Sequence, residues 1–230
     1  MKNDKQKWNI WLAAFACFLL SISLIATIID VCSFDRGFYR DEYRKNDTVS
    51  YTGMSAEDNL KATDTLLDYL KDRRQDIVCT ANVSGTVREV FNERETLHMI
   101  DVKALYQKAM TVRTLCAAAG LILLAIALFR QKTGRLKLLW QGWKSGILLT
   151  SGAVIIIAVF ALADFDRFWT NFHLLFFDND LWLLDPNTSI MINLFPGNFF
   201  FDLVILIILC VVGVHLLISG ILWWLRKKEL

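Results

Sequence analysis

Proline is nearly absent from this 230-residue sequence, which has only Pro186 and Pro196. Proline breaks a continuous helix, so only the stretch around these two is barred from one, and long helices are open elsewhere. The five cysteines are too few and too scattered for a disulfide framework. No CxxC pair and no Cys/His spacing suits zinc. Cys17, Cys116 and Cys210 fall in apolar runs, where cysteine acts as a small hydrophobe, while Cys32 and Cys79 could meet in a single bridge. Nucleophile motifs such as GxSxG and SxxK are missing, as are phosphate loops. Asp178 and Asp180 alone read as solvated or capping residues, so no metal and no cofactor is expected. No basic stripe points to nucleic acid.

Charge is also missing from four long runs, Trp8–Ile29, Val112–Phe129, Gly146–Ala163 and Phe199–Leu225. Each is near or above the ~18 apolar residues that suggest a bilayer-spanning helix. Arg113, Asp202 and His215 are their only ionisable residues, and the first two sit at ends. A soluble fold is thereby excluded. The expected class is a mainly α membrane protein, with four transmembrane helices and a small α+β extracytoplasmic head.

The charges present are sorted by side. Lys2, Lys5 and Lys7 precede the first run; Arg130, Lys132, Arg135, Lys137 and Lys144 lie between the second and third; Arg226, Lys227 and Lys228 follow the fourth. The positive-inside rule then puts both termini in the cytoplasm and segments 30–111 and 164–198 outside. The formal net charge of +2 averages a basic inside with an acidic outside. Five parts follow. Residues 1–31 hold the cytoplasmic N-terminus and first span, 32–111 the head, and 112–163 the second and third spans with their basic loop. Residues 164–198 form an aromatic membrane-surface segment, and 199–230 the last span and tail. The first run is longer than the h-region of a signal peptide, and no small-x-small site follows it, so it reads as an uncleaved span.

Asp30–Arg44 interleaves aromatic and charged residues. It reads as an interfacial anchor with Phe38, Tyr39 and Tyr43 at headgroup depth, or as a headgroup ligand through Arg36, Arg40 or Tyr39. Ser55-Ala-Glu-Asp58 resembles a capping box, and Leu60, Leu66, Leu67 and Leu70 follow it at near-helical spacing. Ile77–Phe91, with Ser84-Gly85 as turn, predicts a hairpin. Val102, Leu105 and Tyr106 predict that the second long helix begins near Asp101, with His98 just before it.

Asp164–Asp202 is too apolar for a solvated loop and too polar to cross a membrane. Its many Phe and Trp rings suit the headgroup level. Set among them are His173, Asn171, Asp178, Asn179, Asp180, Asp185 and Asn187, which are costly to bury unless paired or useful. This is the expected binding or reaction surface. Of the three histidines, His215 lies deep in the fourth run. Intramembrane ionisable residues are functional suspects, but a neutral imidazole can equally bond its own helix or a neighbour. His98 and His173 both fall on the outer face. On the residues alone they are ordinary polar residues as readily as a catalytic pair.

The segment FHLLFFDNDLWLLDPNTSIMINLFPGNFF, together with ERETLHMIDVK and FYRDEY, resembles the bacterial lipoprotein intramolecular transacylase family of four-span membrane proteins. The resemblance covers most of the chain. It implies transfer of the sn-2 acyl chain of a diacylglyceryl-modified lipoprotein to the α-amino group of the same cysteine, giving the lyso form. It also implies that the family's two functional histidines correspond to His98 and His173. The partners implied are diacylglyceryl-modified lipoproteins and membrane lipids.

The residues fit such a reaction. In an intramolecular transfer the substrate brings its own nucleophile, so no serine or cysteine motif is needed. One imidazole can take the amine proton and a second can protonate the glyceryl oxygen. Asn171, Asn179 or a backbone N–H could stabilise the oxyanion, and Tyr39 and Arg40 are further candidates for substrate binding. Two other classes share features of the sequence. A non-catalytic lipid- or lipoprotein-binding membrane protein would use the same aromatic surface without needing either histidine. A small transporter would need more intramembrane polarity than His215 supplies.

Overall fold

A computed structural model describes residues 2–228, with side chains from Gln6 onward. The elements run α1 (Lys2–Ser33), α2 (Arg36–Lys45), α3 (Thr48–Thr52), α4 (Ala56–Leu70), β1 (Thr80–Val83), β2 (Thr86–Glu89), α5 (Glu93–Arg130), α6 (Arg135–Ala163), α7 (Phe165–Phe176), α8 (Ile190–Leu194) and α9 (Phe199–Lys227). The fold is therefore mainly helical with one small sheet. Helices α1, α5, α6 and α9 are long and apolar enough to cross a membrane, and they contain the four runs expected from the sequence. The chain divides into two contact units.

One unit holds the chain through Asp30, residues 110–163 and the chain from Ile205. Small residues let its helices approach closely, which matters in lipid because no hydrophobic drive pulls apolar helices together. Ala13, Ala127 and Leu138 form a buried cluster. A Cβ at Gly146 would stand 2.6 Å from the Ala14 carbonyl, and one at Gly142 2.8 Å from the Ala13 methyl. Polar ties add to this packing. Asn9 donates from Nδ2 to the Ala127 carbonyl and to Gln131, both at 3.0 Å. Arg113 pairs with Asp30 at 3.1 Å.

His215 lies in this unit and is buried. Its Nδ1 faces the Val211 carbonyl at 2.8 Å. A carbonyl only accepts, so Nδ1 carries the proton. Nε2 meets the Ser21 hydroxyl at 2.8 Å, Ser21 meets Thr150 at 2.9 Å, and the ring stacks on Trp143. Both alternatives open to an intramembrane histidine are used here, since it bonds its own helix and a neighbour.

The other unit holds residues 31–109 and 164–204. Asp35 caps α2 and Ser55 caps α4, each accepting a backbone N–H two or three residues on. Ser55 also donates its hydroxyl to the Asp58 carboxylate at 2.9 Å, so the Ser55–Asp58 pair expected from the sequence meets side chain to side chain. Arg36 ties α2 to α4 through Asp64 at 2.5 Å and Asp68 at 3.5 Å, and Tyr43 bonds the buried Thr63 hydroxyl. The hairpin pairs Thr80 with Glu89 through to Val83 with Thr86. Its turn residues Ser84 and Gly85 both have positive φ, 51° and 89°, as a two-residue turn matched to strand twist requires. Cys79 is a buried thiol outside any disulfide, so no bridge joins it to Cys32.

Besides α1, which begins at Lys2 ahead of the Trp8–Ile29 run, two helices begin earlier than expected. α5 starts at Glu93 rather than near Asp101, so His98 lies within the helix and not before it. Its start is fixed reciprocally: Asn92 Oδ1 accepts the Glu95 N–H at 3.0 Å, and Glu95 Oε2 accepts the Asn92 N–H at 2.6 Å. This is a capping box with asparagine as the cap. α6 starts at Arg135, well before Gly146. The charged stretch Arg135–Lys144 interrupts the apolar run but suits a helix, with Lys144 over the Trp140 ring.

Candidate active site

His98 and His173 meet in the second unit. α5 carries His98 one turn past the Asn92–Glu95 cap. α7, capped by Asp164 accepting from the Arg167 N–H, carries His173 near its C-terminus. Their ring centroids are 6.2 Å apart, and both side chains are buried. Both lie outside the apolar stretches of the long helices.

The setting is aromatic. Trp182 stacks on His173 with centroids 4.7 Å apart and planes 25° from parallel. Trp169 meets the same ring edge-on at 5.0 Å, and Phe177 lies against both imidazoles, at 5.5 Å from His98 and 5.7 Å from His173. His173 Nδ1 lies 2.8 Å from the Trp169 carbonyl, so Nδ1 is the donor and Nε2 is left with a free lone pair. The Nδ1 of His98 is buried without a partner.

Burial, with the adjacent His173 adding to it, pushes the His98 imidazole down to about 4, against a partial lift from Asp101. Burial also lowers His173, opposed by its bond to the Trp169 carbonyl. Both rings are therefore neutral at pH 7. They can accept or relay a proton but do not start as acids.

The site is braced by a carboxylate that the sequence reading passed over. Glu95 has no exposed surface. Besides capping α5, it accepts the Ser189 hydroxyl at 2.6 Å and the Met191 N–H at 2.7 Å. Glu95 and His98 are three residues apart and so share a helical face. The Asn92-x-x-Glu95 spacing was the available signal. Nothing in the sequence pointed to the Ser189 end.

The other expected site residues are spread out. Tyr39 is buried, donates to the Ser33 carbonyl at 2.8 Å and packs on Tyr43, Phe195 and Phe199; burial raises its phenol well above the ordinary tyrosine value. Arg40 is exposed on the same helix. Asn171 is exposed on α7 and donates to the Arg167 carbonyl at 2.7 Å. Asn179 uses both amide atoms internally, donating to Asp101 at 2.9 Å and accepting the Leu181 N–H at 3.0 Å. Of the predicted residues, the structure brings together the two histidines and places Asn179 on the loop beside them. Among the described residues, no cluster of His, Cys, Asp or Glu could hold a metal ion.

The family described as Lipoprotein intramolecular transacylase Lit matches residues 14–200 of the chain. Among solved structures, the chain is similar to the membrane integral lipoprotein intramolecular transacylase Lit from Bacillus cereus. The TM-score is 0.80 at 19% identity, covering 97% of this chain and 98% of that one. Two variants of the same Bacillus cereus protein, each with one histidine replaced, by arginine or by alanine, match with a TM-score of 0.76 at 20% identity. Both cover 99% of this chain, and 96% and 97% of theirs respectively. A search among curated protein sequences found no match.

Proposed function

Because the chain belongs to the lipoprotein intramolecular transacylase family, we propose that it moves the sn-2 acyl chain of a diacylglyceryl-cysteine lipoprotein to the α-amino group of the same cysteine. The observation that carries this reading is the pairing of two buried, neutral imidazoles 6.2 Å apart. That spacing lets one reacting group stand within hydrogen-bond reach of both rings.

The substrate supplies amine and ester together. Holding them in register contributes effective molarity, up to ~7–11 kcal/mol in well-oriented cases. The amine nitrogen attacks the ester carbonyl and its proton passes to His173 Nε2, the free lone pair of a ring fixed through Nδ1. The bond from the carbonyl carbon to the glyceryl oxygen breaks, and that oxygen takes a proton. One C–O bond is exchanged for one C–N bond, and the N–H proton becomes the glyceryl O–H proton, so the cycle consumes no acid or base. His98 acts as the partner donor. An N–H buried without an acceptor is costly, so the unpartnered Nδ1 of His98 favours the tautomer with its proton on Nε2. There it can donate to the oxyanion or the leaving oxygen.

The charge asymmetry supports both termini in the cytoplasm. The five-part division 1–31, 32–111, 112–163, 164–198 and 199–230 then puts head, aromatic segment and site at the extracytoplasmic face. Leu174, Leu175 and Phe176 are exposed on α7, which suits contact with membrane lipid and the substrate's acyl chains. Mass spectrometry of lipoprotein N-terminal peptides tests the reading. Cells with the protein should yield N-acyl, S-monoacylglyceryl cysteine, and cells lacking it or carrying His173→Asn should yield the diacylglyceryl form. Identical peptides with and without the protein would exclude the activity.

A further inference from the structure

Arg94, His98 and Asp101 share one face of α5 at helical spacing. The two flanking residues both grip the loop that follows α7. Arg94 donates to the Asp180 carbonyl and pairs with its carboxylate at 3.3 Å. Asp101 accepts the Asn179 amide at 2.9 Å. Asn179 in turn accepts the Leu181 N–H on its side chain and the Trp182 indole N–H on its carbonyl, both at 3.0 Å. The indole then lies flat on His173. From the helix that carries one histidine, a short chain of bonds thus sets a ring onto the other.

We propose that Trp182 is a positioning residue for His173, seated by Asn179 and by the Arg94 and Asp101 clasp on α5. The proposal rests on the two-histidine reading above and deepens it. His173 has one ring atom fixed, its Nδ1 on the Trp169 carbonyl. A ring held at one atom can still tilt about that bond, and tilting would swing Nε2 away from the reacting nitrogen. A stacked indole removes that freedom, because tilting would break the face-to-face contact. The indole face also favours the imidazolium that forms when His173 takes the proton, and it keeps water off that face. Because the indole N–H is already spent on Asn179, Trp182 has no polar atom left for substrate. It acts through His173.

The test uses the full chain in detergent or nanodiscs, with a synthetic diacylglyceryl lipopeptide as substrate. The three histidines make selective isotope labelling simple, and an indole stacked on His173 should displace that ring's proton signals upfield. Asn179→Ala and Asp101→Ala should collapse the displacement, whereas Trp182→Phe should keep part of it. Trp182→Ala should lower kcat by roughly 10²-fold, the scale of a 1 Å misplacement, with KM nearly unchanged. Trp182→Phe should recover most of that loss, because an offset-stacked phenyl ring preserves the contact. An unchanged kcat after the displacement has collapsed would overturn the positioning role. A displacement that survives both anchor substitutions would overturn the clasp. Turnover retained by His173→Ala would instead remove the reading beneath the proposal, and the labelled signals would still show, separately, whether the loop is anchored.

Discussion

His173 donates its Nδ1–H to the carbonyl of Trp169, one helical turn behind it, at 2.8 Å. The bond settles the tautomer of a ring that burial already keeps neutral, and it leaves one nitrogen for chemistry.

The acid limb of activity follows from that neutrality. On the proposed mechanism, kcat/KM requires both imidazoles and the substrate amine unprotonated. The amine, with a pKa of about 7.7–8.0, controls the limb below pH 8. His98 is pushed down to about 4 by burial and by His173, and His173 is lowered in the same direction. Log kcat/KM should therefore rise with a slope near one up to about pH 7.5, and hold that slope below the ordinary imidazole value of about 6.5. It should steepen only at lower pH, where protonation of the two lowered imidazoles adds its own loss. Two imidazoles of ordinary pKa would steepen the limb already below about 6.5. A rate profile from pH 4.5 to 9 distinguishes the two, and early steepening would show that the rings are not desolvated in the free enzyme.

If the histidines pass a single proton, they work as a unit. The losses in His98→Ala and His173→Ala should then not multiply in the double variant, which should keep about the residual turnover of either single one. Turnover assays on inserted, folded protein check this. Multiplicative losses, or near-normal rates in His98→Ala, would separate the two residues.

Glu95 concerns the scaffold. It accepts from the Asn92 N–H, the Ser189 hydroxyl and the Met191 N–H, so Glu95→Ala uncaps exposed Asn92 and strands the donors of buried Ser189 and Met191. At about 1–3 kcal/mol for each unsatisfied group, the variant should melt far below the unsubstituted protein in detergent. Glu95→Gln can keep the two bonds to Oε1 and should lose much less. Equal melting of all three proteins would mean that the carboxylate is not what joins α5 to the segment around Ser189.

His215 should tolerate exchange for glutamine. Its ring makes two hydrogen bonds, to the Val211 carbonyl and the Ser21 hydroxyl, and an amide can replace at least one. His215→Gln should retain most turnover and melt slightly lower, by the order of 1 kcal/mol for a lost intramembrane bond. A folded variant without turnover would bring this residue into the chemistry.

The long helices were legible because run length and missing charge are direct physical requirements of a bilayer. The α4 cap and the Ser84-Gly85 turn were legible because their geometry is local. The start of α5 was missed for a different reason. Apolar periodicity begins only near Val102, and the polar first turns are held by Asn92 and Glu95 rather than by an apolar face. Asn179 shows the limit most clearly: as an exposed-loop amide it looked available to substrate, and only tertiary contacts with Asp101 and Leu181 reveal that both its atoms are spent. The histidines were visible as residues, but their 6.2 Å approach is a long-range fact that no local spacing encodes.

The Glu95–Ser189 bond has a consequence in time. Its partners are 94 positions apart, and at about 5–20 residues per second the ribosome makes Ser189 roughly 5–20 s after Glu95. Throughout that interval the carboxylate has only its own helix cap to satisfy it and stays better off in water than in a packed interior. Closure of the His98 side must therefore wait for the chain beyond α7. A nascent enzyme stalled before Ser189 already carries both histidines and cannot yet hold them in place.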